Sequence, residues 1–505
     1  MDRRPMLPMR RQIIRTHREV NMVKFEIKKN IVHPGEFTYD LRALAQSFYP
    51  ELVCQILERE EWSGKTGYPV KCTVDGDVIM EETLPEDYTK NSVKAAVYRA
   101  FVKKTGRTLQ WGILTGIRPA KIPLRMMMEG RGREEIFTSL RDEYLLDRRK
   151  MQLVYDVAAK EYSLIKDFDH KNSYNLYIGI PFCPSICGYC SFSSYDYKTY
   201  EDKVDVYLKA LEKETAFLAQ LAEEKKKKLH TIYVGGGTPT SFGEGQLQQL
   251  MDMLHRHLPV SKPLSPIFEF TVEAGRPDSI TKEKLRILKE AGVTRISINP
   301  QTMKQRTLDL LGRKHSVEQV REVFFQAREA GFDNINMDLI VGLPEEDEVD
   351  FAGTMKQILD LDPDSVTIHT LVIKRASRMR REQLEQGEQM YPEDILIPVL
   401  QKSSEDMLRS CGYEPYYMYR QKNKAGTTRN TNQENVAYAR PGKECLYNIF
   451  IMEELETIAA LGSGGSTKYV LHEKDRMERI ENVKSVDDYI SRIDEMIERK
   501  KELWH

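Results

Sequence analysis

The sequence lacks the features that mark membrane-spanning, secreted or nucleic-acid-binding proteins. No apolar run approaches the roughly 18 residues needed to cross a bilayer, and the basic N-terminus has no apolar stretch of the kind found in secretory signals. Neither sign of charge is in excess, because 76 basic residues stand against 77 acidic ones, for a net charge of -1. We therefore expect no membrane span and no nucleic-acid partner.

Cysteine is scarce, with seven in 505 residues, and it is unevenly distributed. Four cysteines are scattered along the chain: Cys54, Cys72, Cys411 and Cys445. We expect these four to be buried free thiols in a reducing compartment, which predicts a cytoplasmic protein. The other three, Cys183, Cys187 and Cys190, fall within eight residues on a loop after an apolar, strand-like run.

The spacing of the three clustered cysteines favours an iron–sulfur cluster. Thiolates this close along the chain cannot all pair as disulfides, but they can converge on one face of a cluster. Three ligands leave one iron open for a substrate or cofactor, much as catalytic zinc sites keep an open position. A zinc knuckle is the alternative, but it needs a fourth cysteine or histidine nearby, and none follows in the loop.

Residues 171–385 alternate between apolar, β-rich segments and helical patterns. Strands are predicted at Leu176–Ile180, Thr231–Val234, Phe268–Val272, Arg295–Ile298, Asn334–Leu339 and Ser365–His369. Helices are predicted at Val204–Ala222, Gln246–His257, Lys282–Ala291, Val317–Ala330 and Asp350–Leu361. This order predicts an α/β fold with a parallel sheet of right-handed βα units. Six units without an obvious seventh indicate a partial, open (β/α)6 barrel, in which chemistry lies at the C-terminal ends of the strands.

The regions on either side of this barrel are predicted to form separate domains. Residues 1–22 are expected to be a basic, disordered leader, and residues 23–170 an N-terminal α+β accessory domain. Asp75-Gly76, between two strand-like segments, is a strong hairpin signal within that domain. Residues 386–505 are expected to form a mainly helical C-terminal domain that closes with an amphipathic helix over Val483 to Glu502.

Polar residues follow or interrupt several of the predicted strands. Gly235-Gly-Gly-Thr-Pro-Thr240 follows the second strand, and its glycines allow the backbone to approach a ligand closely. Glu273 ends the third strand, Gln301 follows the fourth, and Asp338 lies in the fifth. A buried polar group needs a partner, so each is either a satisfied core residue or a ligand contact. Three such residues at one end of a sheet favour a ligand site.

The cysteine spacing, with Tyr189 before the last cysteine, resembles the signature of radical S-adenosylmethionine (SAM) enzymes. The leading Tyr177…Ile180-Pro-Phe-Cys is similar to the branch that includes oxygen-independent coproporphyrinogen III oxidase (dehydrogenase) and its heme-trafficking relatives. The resemblance implies a [4Fe-4S] cluster on the three clustered cysteines, and SAM bound at its open iron and cleaved to a 5′-deoxyadenosyl radical. It also implies cofactor contacts from Tyr177, Tyr189, Gly236, Gly237, Thr238, Glu273, Gln301, Arg313, Asp338 and Ile340.

The same resemblance implies a reaction and its partners. The expected reaction is oxidative decarboxylation of two propionates of coproporphyrinogen III to vinyl groups, giving protoporphyrinogen IX in anaerobic heme biosynthesis. Reduced ferredoxin or flavodoxin is the implied electron donor. A basic run after the sixth strand contains Lys374 and Arg375, which are predicted to clamp the substrate carboxylates. The alternative for this run is a solvated helix start.

Ser191-Phe192, directly after the last clustered cysteine, separates this chain from the best-known oxidases of the branch. Those oxidases carry a fourth cysteine after the glycine that follows the cluster motif, whereas the Ser-Phe form also occurs in heme-trafficking relatives. Two alternatives therefore stay open beside decarboxylation. One is a heme-binding chaperone that retains the cluster, and the other is a radical SAM methyltransferase acting on a tetrapyrrole.

Overall fold

The computed structural model of the chain describes residues 21–28, 37–49, 52–59, 67–190, 194–260, 268–371, 396–421, 434–474 and 476–504. The contacts form two compact units, one with the described residues up to Thr115 together with 143–145, and the other with most of the rest from Gly116 onward. The predicted leader lies outside the described residues up to position 20, whereas Asn21 and Met22 begin the first strand. No helix within the described ranges is long and apolar enough to span a membrane.

The first unit is a four-stranded mixed sheet packed against two helices. Its elements are β1 (Asn21–Lys28), α1 (Thr38–Phe48), β2 (Leu52–Arg59), β3 (Tyr68–Val74), β4 (Asp77–Leu84) and α2 (Lys90–Thr105). The strand order is β2-β1-β3-β4, with β1 and β2 parallel and the other pairs antiparallel. Asp75 and Gly76 have φ angles of 51° and 91°, as a tight hairpin with two left-handed residues requires, so the predicted turn is confirmed.

The second unit begins with three helices and continues with alternating strands and helices. The helices are α3 (Lys121–Met128), α4 (Arg133–Asp142) and α5 (Arg148–Ile165). The next elements are β5 (Ser173–Ile180), β6 (Phe182–Cys183), β7 (Tyr195–Asp196), α6 (Tyr197–Glu224), β8 (Lys228–Gly236), α7 (Glu244–His257), β9 (Glu269–Glu273), α8 (Lys282–Glu290), β10 (Arg295–Ser297), α9 (Gln305–Leu310), α10 (Val317–Glu329), β11 (Ile335–Val341), α11 (Glu348–Leu361) and β12 (Ser365–Thr370).

The last elements of this unit mix helices and strands. They are α12 (Leu396–Ser410), β13 (Glu414–Arg420), β14 (Glu434–Ala439), α13 (Leu446–Glu453), β15 (Thr457–Leu461), β16 (Ser466–Leu471), β17 (Arg476–Glu481), α14 (Val486–Ser491) and α15 (Ile493–Glu498). The prediction of a mainly helical C-terminal domain is therefore wrong. The predicted closing helix over Val483 to Glu502 is also wrong, because two short helices meet there at Arg492.

The six predicted strands of the barrel are confirmed as neighbours in one sheet. The sheet has the order β13-β14-β12-β11-β10-β9-β8-β5-β15-β16-β17. Within it, β5, β8, β9, β10, β11 and β12 are consecutive and parallel. These strands are buried along most of their length, although β9 (EFTVE) and β12 (SVTIHT) alternate between polar and apolar residues, so polar side chains are buried in this sheet as well.

The C-terminal residues extend this same sheet at both of its edges. Strand β14 pairs antiparallel with β12, and β15 pairs parallel with β5 as a seventh parallel strand. Thr457–Leu461 is buried at every position and has no polar alternation, so its five residues gave no strand signal in the sequence. The strand content of the C-terminal region thus serves the sheet that carries the cysteine loop.

Helix α5 belongs to the second unit. Its Ala158 and Ile165 belong to one hydrophobic cluster with Tyr416 and Tyr417 of β13. The first unit consequently ends near Thr115, well before the residue 170 expected for the accessory domain.

The four scattered cysteines all carry free thiols. Cys72 and Cys445 are buried, as predicted, and Cys54 is half-buried. The prediction of burial is wrong for Cys411, which is exposed because it directly follows the last turn of α12.

Candidate active site

The cysteine loop lies at the carboxyl end of β5, where the strand order predicted it. Its first cysteine, Cys183, belongs to the short strand β6, which pairs parallel with β7. Thr238, directly after the glycine run, donates a hydrogen bond from its hydroxyl to the Cys183 sulfur at 3.6 Å. Burial raises the pKa of Cys183 to about 11, opposed by the Thr238 hydrogen bond and reinforced by the nearby thiols of Cys190 and Cys187. The three predicted ligands therefore share one neighbourhood.

Two buried guanidinium groups lie beside the middle cysteine. Arg276 places Nη1 at 3.4 Å from the sulfur of Cys187, and Arg313 places its own Nη1 at 3.8 Å. The loop is fixed close to these arginines, because the Gly188 N–H donates to the carbonyl of Leu311 at 3.0 Å. Guanidinium donors form charge-assisted hydrogen bonds, so this pair suits an anionic group held at the Cys187 sulfur.

No three cysteine, histidine, aspartate or glutamate side chains in the described ranges converge as ligands of a single metal ion. This arrangement is compatible with an iron–sulfur cluster, because each thiolate of such a cluster binds a different iron and the sulfurs need not meet at one point.

The glycine run packs directly against the backbone of the cysteine loop. The Gly237 N–H donates to the carbonyl of Ile180 at 2.7 Å, and the Thr238 N–H donates to the carbonyl of Phe182 at 2.7 Å. A Cβ atom on Gly237 would lie 2.5 Å from that Phe182 carbonyl oxygen. These glycines therefore have a structural role that the sequence did not indicate, and ligand contacts of Gly236, Gly237 and Thr238 stay a prediction.

Glu273 ends β9 with its carboxyl group facing the glycine run. Its Oε1 accepts a hydrogen bond from the Tyr233 hydroxyl at 2.6 Å, and a Cβ on Gly235 would come within 2.9 Å of the carboxyl group. Burial raises the pKa of Glu273 to about 7, opposed by the Tyr233 hydrogen bond and assisted by the charge of Asp338. At neutral pH the carboxyl group can therefore either donate or accept a proton.

Three tyrosine rings stack beside Glu273. The rings of Tyr233 and Tyr447 are 4.4 Å apart, and Tyr177 stacks on both at 6.2 Å. Glu269 fixes Tyr447 at the start of α13 by accepting hydrogen bonds from the N–H groups of Leu446 and Tyr447, at 2.7 and 3.3 Å. A negative charge at a helix N-terminus is favourable, and here it places a C-terminal aromatic ring against the parallel strands.

Gln301 stands in an unusual backbone conformation beside β11. Its φ angle is 71°, in the left-handed region that residues with a side chain rarely adopt. Hydrogen bonds fix this conformation, since Gln301 N–H donates to the Asp338 carbonyl and its own carbonyl accepts from Ile340 N–H, both at 3.0 Å. The side-chain Oε1 is buried and has no hydrogen-bond partner among the described residues. An unpartnered buried oxygen of this kind is available to a hydrogen-bond donor of a ligand, of a water molecule or of another segment of the chain.

Arg313 connects the cysteine loop to the strand ends. Its Nη2 donates to the carbonyl of Asn299 at 2.6 Å, and its Nη1 donates to the Tyr189 hydroxyl at 3.2 Å. Its Nε is buried without a partner in the described part of the chain. Tyr189 packs on a small apolar cluster that includes Ile340. The structure thus brings Tyr189, Arg313 and Ile340 together beside Cys187.

Asp338 lies in β11 between a donor amide and a histidine. Its Oδ1 accepts from Nδ2 of Asn336 at 2.7 Å, and Oδ2 lies 3.6 Å from Nε2 of His369. Burial opposes ionisation, but the hydrogen bonds from His369, Asn336 and Thr367 outweigh it and hold the pKa of Asp338 below its usual value. Asp338 is therefore an ionised acceptor at the same strand ends as Gln301.

Several residues of this site were missed by the sequence reasoning: Arg276, Tyr233, Asn299, His369 and Tyr447. Arg276 carries a recognisable signal, because it follows Glu273 by three residues in a strand-end loop. Tyr447 carries none, since only the sheet pairing brings the C-terminal segment here. Lys374, Arg375 and Ser191-Phe192 lie outside the described residues.

The sequence matches the Radical SAM superfamily over residues 177–358. It is 37% identical over 425 residues to the oxygen-independent coproporphyrinogen-III oxidase-like protein HemZ of Bacillus subtilis, a match that covers 84% of this chain and 82% of that protein. It is also 43% identical over 198 residues to the heme chaperone HemW of Bacillus subtilis, covering 39% of this chain and half of the chaperone's length.

Among solved structures, the fold is similar to that of coproporphyrinogen III oxidase (HemN) from Escherichia coli. The TM-score is 0.51 and the sequence identity is 22%, with 65% of this chain and 70% of that chain covered. At this identity the likeness concerns the fold alone.

Proposed function

Because this chain belongs to the radical SAM superfamily, we propose that it uses a [4Fe-4S] cluster and SAM to decarboxylate coproporphyrinogen III oxidatively. The observation that carries this proposal is the cysteine loop at the strand ends, next to buried polar groups that have no hydrogen-bond partner within the described part of the chain. The likeness to a coproporphyrinogen oxidase-like protein over 84% of the chain supports the choice of substrate.

Cys183, Cys187 and Cys190 are the proposed ligands of the cluster. The donors around them fit an anionic group, since Thr238 donates to Cys183 and two guanidinium groups flank Cys187. When bound, the cluster and SAM supply one-electron chemistry that removes a hydrogen atom from each reacting propionate, so that carbon dioxide leaves, an electron passes to a one-electron acceptor, and a vinyl group remains. We propose reduced ferredoxin or flavodoxin as the electron donor.

The strand-end residues are the proposed holders of SAM. Asp338 offers an ionised carboxylate. Gln301 offers a side-chain oxygen, and Arg313 an Nε, that have no partner among the residues the structure describes. These groups suit a ligand that carries ribose hydroxyls, an ammonium group and a carboxylate. Ile340 and Tyr189 add an apolar surface of the kind that an adenine ring requires. The other proposed contacts are Tyr177, Gly236, Gly237, Thr238 and Glu273.

The stacked tyrosines are a candidate surface for a flat tetrapyrrole. Aromatic rings pack favourably on other π systems, and the half-buried rings of Tyr177 and Tyr233 stack nearly parallel on the buried ring of Tyr447. The propionate carboxylates need cationic partners, for which we retain Lys374 and Arg375 as proposals from the sequence.

The decisive experiment starts from anaerobically reconstituted protein. SAM, reductant and coproporphyrinogen III are added, and the porphyrinogen products are analysed by mass after oxidation. The proposal predicts loss of two carbon dioxide molecules per substrate together with formation of 5′-deoxyadenosine. If 5′-deoxyadenosine forms without any vinyl product, the chain is a radical SAM protein but the substrate assignment is wrong.

A heme chaperone is the second candidate function, favoured by the 43% identity to a heme chaperone over 198 residues. This chain carries Ser191-Phe192 where the best-known oxidases of the branch carry a fourth cysteine, and this difference agrees with the chaperone function. It predicts that the protein binds heme stoichiometrically, which the Soret absorbance of heme measures. It also predicts that the mass of coproporphyrinogen III stays unchanged. Heme transfer to an apoprotein without decarboxylation would establish the chaperone function and exclude the first proposal.

A further inference from the structure

The buried guanidinium of Arg276 contacts the cysteine loop at several points. Its Nη1 donates to the sulfur of Cys187 at 3.4 Å and to the carbonyl of Ser185 at 3.2 Å, while Nη2 donates to the Ser185 hydroxyl at 3.0 Å. Only 4% of Arg276 is exposed. The side chain of Arg276, in the loop that follows β9, therefore holds both the backbone and a sulfur of the cysteine loop.

Asp278 fixes this guanidinium in place. Its two carboxylate oxygens accept hydrogen bonds from Nε and Nη2 of Arg276, both at 2.8 Å, in a bidentate pair. Such pairs restrict the plane of the guanidinium as well as its position. The fork of Arg276 can consequently face Cys187 in one orientation only.

Arg276 differs from Arg313 in what it contacts. Arg313 also reaches the Cys187 sulfur, at the longer distance of 3.8 Å, and its other hydrogen bonds go to the Tyr189 hydroxyl and to the carbonyls of Asn299 and Gly275 at the strand ends. The hydrogen bonds found for Arg276 go to Ser185, Cys187 and the anchoring Asp278. Arg276 is thus directed at the cysteine loop itself.

A guanidinium at this place has an electrostatic consequence for a redox group. Reduction adds one negative charge to a cluster, and a buried cation near a ligand sulfur stabilises that added charge. Hydrogen bonds to the ligand sulfurs and local charge are among the factors that set the reduction potential of iron–sulfur clusters. Removal of the cation should therefore make the cluster harder to reduce.

We propose that Arg276, oriented by Asp278, is a positioning residue that fixes Cys187 and raises the reduction potential of the cluster. This inference rests on the proposed assignment of Cys183, Cys187 and Cys190 as cluster ligands. It does not depend on the identity of the substrate, so it can be tested in the absence of any tetrapyrrole.

The test compares reconstituted wild-type protein with Arg276→Gln, Arg276→Lys and Asp278→Asn. Iron content and a redox titration followed by electron paramagnetic resonance (EPR) are measured without SAM or substrate. Arg286→Gln is the matched control, because Arg286 is an exposed arginine of α8 that pairs with Glu283 and Glu290. The wild type and this control are expected to titrate at the same potential.

For Arg276→Gln we expect the ratio of reduced to oxidised cluster at a fixed potential to fall about tenfold, which is about 59 mV for a one-electron couple. Arg276→Lys retains the charge without the fork and should shift less in the same direction. Asp278→Asn removes the anchor of Arg276 together with a negative charge, and these two changes act on the potential in opposite directions, so its shift should also be smaller than that of Arg276→Gln. A wild-type potential in Arg276→Gln would overturn the proposal. If that variant does not assemble a cluster, wild-type potentials in both milder variants would overturn it instead.

A failure of this proposal can be separated from a failure of the proposed function. If wild-type protein binds no cluster, the ligand assignment itself is wrong. If the cluster assembles and Arg276→Gln titrates like wild type, only the role of Arg276 is wrong.

Discussion

Two buried polar networks in the second unit differ in whether the protein completes them. In the first, the Glu214 carboxylate accepts from Lys500 and Asn482 at 2.8 Å, from the Tyr489 hydroxyl at 2.6 Å and from the Gly462 N–H at 2.9 Å. Both oxygens of Glu214 are thereby satisfied. This network ties α6 to the C-terminal residues, and we call it the closed network.

The network at the strand ends is open. Gln301 Oε1 and Arg313 Nε are buried there without partners among the described residues, and burial raises the pKa of Glu273 to about 7. A folded protein leaves few buried polar atoms unpaired, because each costs ~1–3 kcal/mol. The closed network is therefore a structural joint, whereas the open network at the strand ends leaves a buried oxygen and a buried nitrogen available to a ligand.

The largest expected effect concerns the cysteines of the open site. Cys187→Ala should abolish the iron-dependent absorbance after anaerobic reconstitution, because two thiolates do not replace the three that the cluster requires. Cys411→Ala removes an exposed thiol outside the loop and should retain wild-type iron. Iron analysis of both variants is the measurement, and full iron content in Cys187→Ala would refute the ligand assignment.

A substitution in the closed network should change the free energy of unfolding of the protein rather than its affinity for a ligand. Glu214→Gln leaves the fully buried ammonium of Lys500 without its carboxylate and should lower the free energy of unfolding by ~3–5 kcal/mol. Glu201→Gln, an exposed substitution on the same helix, should change it by less than ~0.5 kcal/mol. Urea unfolding provides both values. Equal stabilities of the two variants would show that the closed network is not a structural joint.

A pair of buried glutamates extends the comparison, because the effect of their burial on stability depends on pH. Glu453 and Glu161 are buried with all four carboxylate oxygens unpartnered among the described residues. Burial raises the pKa of Glu453 to about 7, opposed by Lys121 and Arg118, and burial together with Glu453 raises that of Glu161.

A raised pKa means that the folded state binds the proton more tightly than the unfolded state. The contribution of Glu453 to stability is therefore complete below its usual pKa of 4.5 and is lost as the pH rises through about 7. Glu453→Gln should remove this loss of stability. In the wild type, the loss lowers the free energy of unfolding by up to ~1.4 kcal/mol per pH unit. Unfolding curves at pH 5, 6 and 7.5 measure it. Parallel pH profiles of the variant and the wild type would contradict the prediction.

The smallest expected effect lies in the open network. Gln301→Met removes the unpartnered oxygen with little change in shape, so it should weaken SAM binding about threefold to tenfold, the value of one hydrogen bond. Its free energy of unfolding should stay within ~1 kcal/mol of wild type. Gln248→Met, on the exposed face of α7, is the control. If Gln301→Met lowers the free energy of unfolding but not the affinity for SAM, Gln301 has a structural role and does not bind SAM.

The parallel sheet and the cysteine loop could be predicted because their signals are local. Strands such as β8 and β11 contain short β-rich apolar segments between helical patterns, and Cys183, Cys187 and Cys190 are close in sequence. Strand β15 could not be predicted, because five small or apolar residues acquire their partner only when the distant β5 is in place.

Within the site, the sequence allowed the types of the functional residues to be predicted, but it did not allow their geometry to be predicted. Gln301 and Asp338 were found because polar groups are unexpected at the ends of apolar strands. The positive φ of Gln301 and the closeness of Arg276 to Cys187 depend on contacts between segments 37 or more residues apart. The stack of Tyr447 on Tyr233 depends on a C-terminal helix whose start is fixed by Glu269.

The central claim is that the open network holds SAM against a cluster with an unliganded iron. EPR spectra of the reduced, reconstituted protein with and without SAM test it most directly. We expect saturating SAM to change the cluster signal in the wild type, with the midpoint at a higher SAM concentration in Gln301→Met. An identical signal with and without saturating SAM, in protein with full iron content, would contradict the claim.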